Sequence, residues 1–169
     1  MILINKNSNL STQSNINSVL FSGSPKKFTL DTSVLINNED CLFKFEENEL
    51  IIPSVVWEEL NDIKDRKDSS ASHIVRRTLR FLEELSKIRP LREGVKLNEV
   101  PSTSPYYDMV KDLETTIRID YNIRNDEIGK SFVMDKRDYY ILSCAKNNDS
   151  ILVTDDIGFV CIARDWVEA

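Results

Sequence analysis

Phe28-Thr29-Leu30-Asp31-Thr32-Ser33 and, far along the chain, Ile151-Leu152-Val153-Thr154-Asp155-Asp156 share one pattern. Each is a short apolar run that ends in hydroxyl and carboxylate side chains. Such runs, closed by residues suited to a turn or a helix cap, read as buried strands. Leu50-Ile51-Ile52-Pro53 reads as a further buried strand, with Pro53 stopping the ladder and suiting the first turn of a helix through Val56, Leu60 and Ile63. From Ser72, Ile74, Val75, Thr78, Leu79, Leu82 and Leu85 recur at helical spacing while Arg76, Arg77, Arg80, Glu83 and Glu84 take other faces, until Pro90 ends the pattern. Pro101 and Pro105 mark a loop, and Thr115–Ile119 alternates like a strand. Asp138 to Lys146 reads as a helix with Ile141, Leu142 and Ala145 inward, and a short helix follows Asp156 to Ala163. Strands alternating with helices, over connections too long for hairpins, predict a three-layer α/β/α sandwich with a central, mostly parallel sheet.

Residues 27–169 form the predicted domain, and 169 residues in all is one domain's worth of chain. Residues 1–26, rich in Asn and Ser, are expected to be an N-terminal extension, either flexible or laying one short strand through Met1–Ile4 or Val19–Phe21. At 41% hydrophobic and 30% charged, the chain can bury a core and remain in solution. No apolar run approaches the roughly 18 residues of a membrane span, and no signal-peptide pattern opens the chain, so no membrane partner and a cytoplasmic location are expected.

The scarce residues exclude whole classes of chemistry. One histidine, His73, rules out any site built from several imidazoles. Cys41, Cys144 and Cys161 share no close spacing, against both a disulfide framework and a cysteine zinc site. The four glycines are too widely spaced for a dinucleotide fingerprint, a Walker A loop or a nucleophile elbow. Acids outnumber bases 28 to 22, for a net charge of −6. Chemistry here is expected to run on carboxylates.

In an open parallel sheet, ligands bind beyond the carboxyl ends of strands where the strand order reverses. Asp31 and Asp155-Asp156 would meet at such an edge. Taken alone, an Asp after a strand is most often an N-cap. Two further acids sit near helix starts: Glu59, after Pro53, and Asp138, before the stripe of Ile141 and Leu142. Glu59 alone reads as an exposed helix carboxylate, and Asp138 as a cap, with Asp135 an alternative one turn earlier. Two carboxylates about 4 Å apart repel by ~4 kcal/mol at an effective dielectric near 20. Several in one pocket would raise their pKa values or hold a cation, and an all-oxygen set suits Mg²⁺ or Mn²⁺.

With these motifs in hand, Phe28-Thr29-Leu30-Asp31-Thr32-Ser33-Val34-Leu35 resembles the opening of a PIN-domain ribonuclease. Ile52-Pro53-Ser54-Val55-Val56-Trp57-Glu58-Glu59-Leu60 is similar to the family's second motif, Asp138-Tyr139-Tyr140-Ile141-Leu142-Ser143-Cys144-Ala145 to its third, and Leu152-Val153-Thr154-Asp155-Asp156 to its fourth. With Glu93–Leu97 and Thr116–Ile119, the resemblance is closest to the PIN domain at the N-terminus of PhoH-like ATPases. It implies a PIN-like fold, and Asp31, Glu59, Asp138 and Asp156 as metal-binding, catalytic acids with Mg²⁺ or Mn²⁺ as cofactor. Asp155 is a second-rank candidate, and Ser33 and Thr154 would orient acids or a metal-bound water. PhoH-like proteins continue into an ATPase domain with a Walker A loop, which this sequence lacks.

The expected activity is metal-dependent endonucleolytic hydrolysis of single-stranded RNA. The alternative is a catalytically weak RNA- or protein-binding module regulating a PhoH-like ATPase. The expected partner is RNA; a homo-oligomer, an ATPase domain and an inhibitor protein are compatible with the resemblance. Against the overall acidity, Lys64 to Arg92 is locally basic, and Arg76, Arg77 and Arg80 are candidates for contacting phosphates. The competing reading is a solvated helix face with Arg80–Glu84 neighbours at helical spacing. His73 is expected to be structural or on the surface, and one of Tyr139 and Tyr140 to be core.

Overall fold

The two acid-terminated runs lie side by side in the computed structural model, which describes residues 1–5, 8–11, 23–67, 69–122 and 136–168. They are β3 (Lys27–Leu30) and β7 (Ile151–Thr154), parallel, with Leu30 opposite Val153. On its other side β3 pairs in parallel with β4 (Glu49–Pro53), and β4 with β6 (Thr116–Asp120). Three short strands complete the sheet antiparallel: β1 (Ile2–Asn5) on β7, β2 (Ser8–Ser11) on β1, and β5 (Val95–Lys96) on β6. The order across the sheet is β2-β1-β7-β3-β4-β6-β5. The parallel arrangement therefore holds for the four central strands, and the edges are antiparallel, as in many mixed sheets.

Helices flank the sheet: α1 (Thr32–Asn37), α2 (Ser54–Lys64), α3 (Ser70–Ser86), α4 (Tyr107–Val110), α5 (Lys136–Asn147) and α6 (Ile157–Glu168). The two innermost strands are buried because both faces are covered: every residue of β7 is buried, and so is all of β3 after Lys27. Thr29 is admitted to this interior because its hydroxyl is 2.6 Å from that of Ser150. Aromatic packing continues the core, with Phe28 against Phe45 at 5.1 Å between ring centroids and Phe81 against Tyr106 at 4.9 Å.

Three boundaries differ from the sequence reading. α3 starts at Ser70 because Ser69 caps it, its hydroxyl accepting from the Ser72 N–H at 3.1 Å. Thr115 precedes β6 rather than opening it, its hydroxyl donating to the Glu46 carbonyl. α6 runs past Ala163 to Glu168. Within residues 1–26, Leu3 and Ile4 are buried on β7, while Val19–Phe21, and Asp135 later in the chain, lie outside the described residues. Among the described residues no helix is long and apolar enough to cross a membrane.

The order places the site. From β3 the chain steps outward through β4 to β6, then returns to the opposite side of β3 as β7. The reversal falls between β3 and β7, so the crevice beyond their carboxyl ends is bordered by Asp31 and Thr154-Asp155-Asp156.

Candidate active site

Asp31 stands in the N-cap position of α1, yet its side chain makes no cap hydrogen bond to that helix. It is turned to β7 instead. Thr154 Oγ1 donates to Asp31 Oδ2 at 2.6 Å and Ser33 Oγ donates to the same oxygen at 2.7 Å. Each hydroxyl is itself fixed by a backbone donor: the Asp156 N–H to Thr154 Oγ1 at 3.0 Å and the Asp155 N–H to Ser33 Oγ at 2.9 Å. Two amides of the β7–α6 turn are thus relayed through two hydroxyls onto one carboxylate oxygen. Asp31 is only 5% exposed. Burial pushes its carboxyl above the ordinary range, opposed by the hydrogen bonds from Thr154, Ser33 and the Thr32 backbone, and Asp156 adds repulsion in the same direction as burial.

Asp156 is exposed and caps α6, its Oδ1 accepting from the Phe159 N–H at 3.1 Å. Gly158 keeps this turn open, since a Cβ there would come within 3.2 Å of Asp156 Oδ1. Asp155 is committed elsewhere: the Met1 amino group lies 2.6 Å from its Oδ1, and Asn38 Nδ2 donates to its Oδ2 at 2.9 Å. Its carboxylate ties the end of β7 to the end of α1.

Glu59 and Asp138 lie on α2 and α5, which pack together. Pro53 ends β4 and caps α2 without an intervening loop, which brings the start of α2 to the edge of the sheet. Arg137, the residue before Asp138, lies 3.5 Å from Glu59 and 3.8 Å from Asp62. The structure therefore brings Asp31, Asp155 and Asp156 to one edge, and puts a guanidinium beside Glu59. Among the described residues no three Asp, Glu, His or Cys side chains form a group able to hold a metal ion by themselves. The donors still fit a hard divalent cation: they are all oxygens, and Asp31 is a buried carboxylate with no cationic partner among the described residues. Mg²⁺ needs only one or two carboxylates alongside its waters.

One acid escaped the sequence reading. Asp120 ends β6, opposite Pro53, and is buried. Asn148 Nδ2 donates to its Oδ2 at 2.7 Å, the Asn122 N–H to its Oδ1 at 2.9 Å, and Arg118 lies 3.9 Å away. Burial would raise its pKa, but these partners together hold it below the usual carboxylate range. Ile117-Arg118-Ile119-Asp120 repeats the strand-then-acid pattern, which was the signal available for it.

Of the three arginines, Arg76 and Arg80 line an open groove between α2 and α3, whereas Arg77 does not. Arg77 is held by Glu39, with Asp40 at 3.4 Å. Glu84 takes a hydrogen bond from Ser104, and among the described residues no Arg80–Glu84 ion pair is formed. His73 is exposed on α3, and Tyr139 is the buried member of its pair. Burial pushes the Cys41 and Cys144 thiols up to about 12, which leaves neither as a nucleophile.

A family model described as PIN domain matches residues 28–164. Protein PhoH2 of Bacillus subtilis (strain 168) is 36% identical over 124 residues, which is 72% of this chain and 24% of that protein. The chain thus spans about a quarter of the length of the curated relative it matches.

Proposed function

The chain belongs to the PIN domain family, a family of nuclease type, and on that premise we propose that it is a divalent-metal-dependent endoribonuclease acting on single-stranded RNA. The observation that carries this reading is the Asp31 carboxylate, buried at the reversal point of the sheet and held on one oxygen by Ser33 and Thr154. A buried anion fixed so firmly in a crevice suits a site that holds a cation against a phosphate. Asp31, Glu59, Asp138 and Asp156 would hold Mg²⁺ or Mn²⁺. The chemistry such an ion supplies when bound is activation of water and stabilisation of the charge developing on the phosphate. Ser33 and Thr154 keep Asp31 from rotating. The Asp156 cap keeps the start of α6, with its positive end, at the crevice. To take part in holding the ion, Glu59 would have to leave Arg137. The acids take up the proton released by the attacking water, and the products carry a 3′-hydroxyl and a 5′-phosphate.

The test is incubation of the purified chain with labelled single-stranded RNA and Mn²⁺, with chelator, and as Asp31→Asn. Chelator should abolish cleavage, and the substitution should lower the rate about 100-fold or more, the equivalent of a few kcal/mol of lost charge stabilisation. Cleavage surviving either change would sink the metal mechanism. The Arg137–Glu59 contact favours a second reading, a binding module with negligible catalysis that serves a PhoH-like ATPase. RNA binding without cleavage at any Mn²⁺ concentration would select it.

A further inference from the structure

Beyond the acids, the described residues enclose an open groove of about 760 Å³ between α2 and α3. That is within the range of about 300–1,000 Å³ typical of ligand sites. Its walls are cationic: Lys64 from the end of α2, Arg76 and Arg80 from one face of α3, and Arg92 from the turn that follows. Its floor is apolar, with Leu79, Leu82 and Ile119. Two aromatic residues border it, Trp57 from α2 and Tyr121 just beyond β6.

Arg92 has Glu93 at 4.0 Å, but the other three charges are not spent on carboxylates. Among the described residues Lys64, Arg76 and Arg80 form no ion pair with a carboxylate. Lys64 Nζ donates to Asn61 at 3.0 Å, and Arg76 uses its Nε on the Lys64 carbonyl at 3.1 Å. The acid lining the groove, Glu83, already has Lys87 at 3.4 Å. Such a cluster makes a local positive potential in a chain of net charge −6, which draws an anion to the groove. Tyr121, 57% exposed, is one of few large hydrophobic side chains left in water. Cations around aromatic faces are the combination that binds single strands, through phosphates and stacked bases together. In a duplex the base faces are already stacked.

The position joins the groove to the acids. Ile119 and Tyr121 flank Asp120, whose register partner Pro53 begins the helix that carries both Trp57 and Glu59. We propose that this groove seats the single-stranded RNA flanking the scissile bond, its bases on Trp57 and Tyr121 and its phosphates on Arg76, Arg80, Lys64 and Arg92. This rests on the nuclease reading above.

The test is fluorescence anisotropy of a labelled oligouridylate with the full 169-residue chain in chelator, where no cleavage occurs. Arg76→Gln/Arg80→Gln is compared with Arg77→Gln/Arg89→Gln, which removes the same charge from arginines engaged with Glu39 and Glu99. The groove pair should weaken binding about 10-fold or more and flatten the log–log salt slope by about 1.4, at about 0.7 per phosphate contact. The matched pair should stay within about 2-fold of wild type, and Tyr121→Ala should lose about 5-fold or more. Equal losses in both pairs, no loss in the groove pair, or equally tight duplex binding would each overturn the proposal. So would absence of oligouridylate binding by the wild type, the outcome expected if the groove receives an acidic protein segment. The two readings fail separately. Groove-dependent binding without Mn²⁺-dependent cleavage sinks hydrolysis alone, and cleavage that the groove substitutions leave intact sinks the groove alone.

Discussion

Asp31 faces a conflict that its two hydroxyl partners resolve unequally. Burial disfavours its charge, and Thr154 and Ser33 each return a hydrogen bond to the same oxygen. Thr154 is fully buried, so no water can replace its hydroxyl, and its loss would also orphan the Asp156 N–H. Ser33 is only half-buried. Thr154→Val is therefore expected to lower kcat/KM on labelled RNA by about 10–100-fold, the usual cost of losing a group that orients a metal-binding side chain. It should also cost about 1–3 kcal/mol of stability for the unpaired groups. Ser33→Ala should cost less in both. Equal effects in rate and urea titrations would refute the burial argument.

Helix α3 shows how one cap sets a larger feature. Its apolar face of Val75, Thr78, Phe81, Leu82 and Leu85 is buried, which turns Arg76 and Arg80 outward along the groove. Ser69 sets where this helix begins by accepting the Ser72 N–H. Ser69→Ala should cost about 0.5–2 kcal/mol in urea unfolding, while Ser69→Asp, also a good cap, should retain most of the stability. An alanine variant as stable as wild type would show that packing alone holds the first turn.

For the molecule as a whole, acid stability is expected to depend on Asp120, where β6, Asn148 at the end of α5 and Arg118 converge. Its pKa in the folded protein lies below its unfolded value of about 3.9. A depressed carboxylate stabilises fully above the unfolded value and loses that contribution as pH falls through the folded one. The stability gap between wild type and Asp120→Asn should be constant above about pH 5 and shrink as pH falls below about 4. A gap that is flat down to pH 2 would show that hydrogen bonding, not charge, makes Asp120 important. The net charge of −6 also looks different once located. Carboxylates gather at the strand ends, while, among the described residues, Lys64, Arg76 and Arg80 line the groove without a carboxylate partner.

The central strands, the longer helices and the order of acid-terminated motifs were legible in the chain because each depends on near neighbours, whereas the short elements Ser8–Ser11, Val95–Lys96 and Tyr107–Val110 were not. An apolar run such as Ile151-Leu152-Val153, or the helical recurrence from Val75 to Leu85, carries its own period. Asp120 was overlooked because a single acid after an alternating strand resembles any surface carboxylate until its burial is known. Which charges pair could not be read. Arg77 and Arg80 differ by three positions on one helix, yet Glu39 and Asp40 from a distant segment take the first and leave the second to the groove. The adjacency of Asp31 with Thr154 is of the same kind, since only the return of β7 beside β3 brings together residues 123 positions apart. Periodicity is a property of neighbouring residues, whereas pairing is a property of space, and the fold alone converts one into the other.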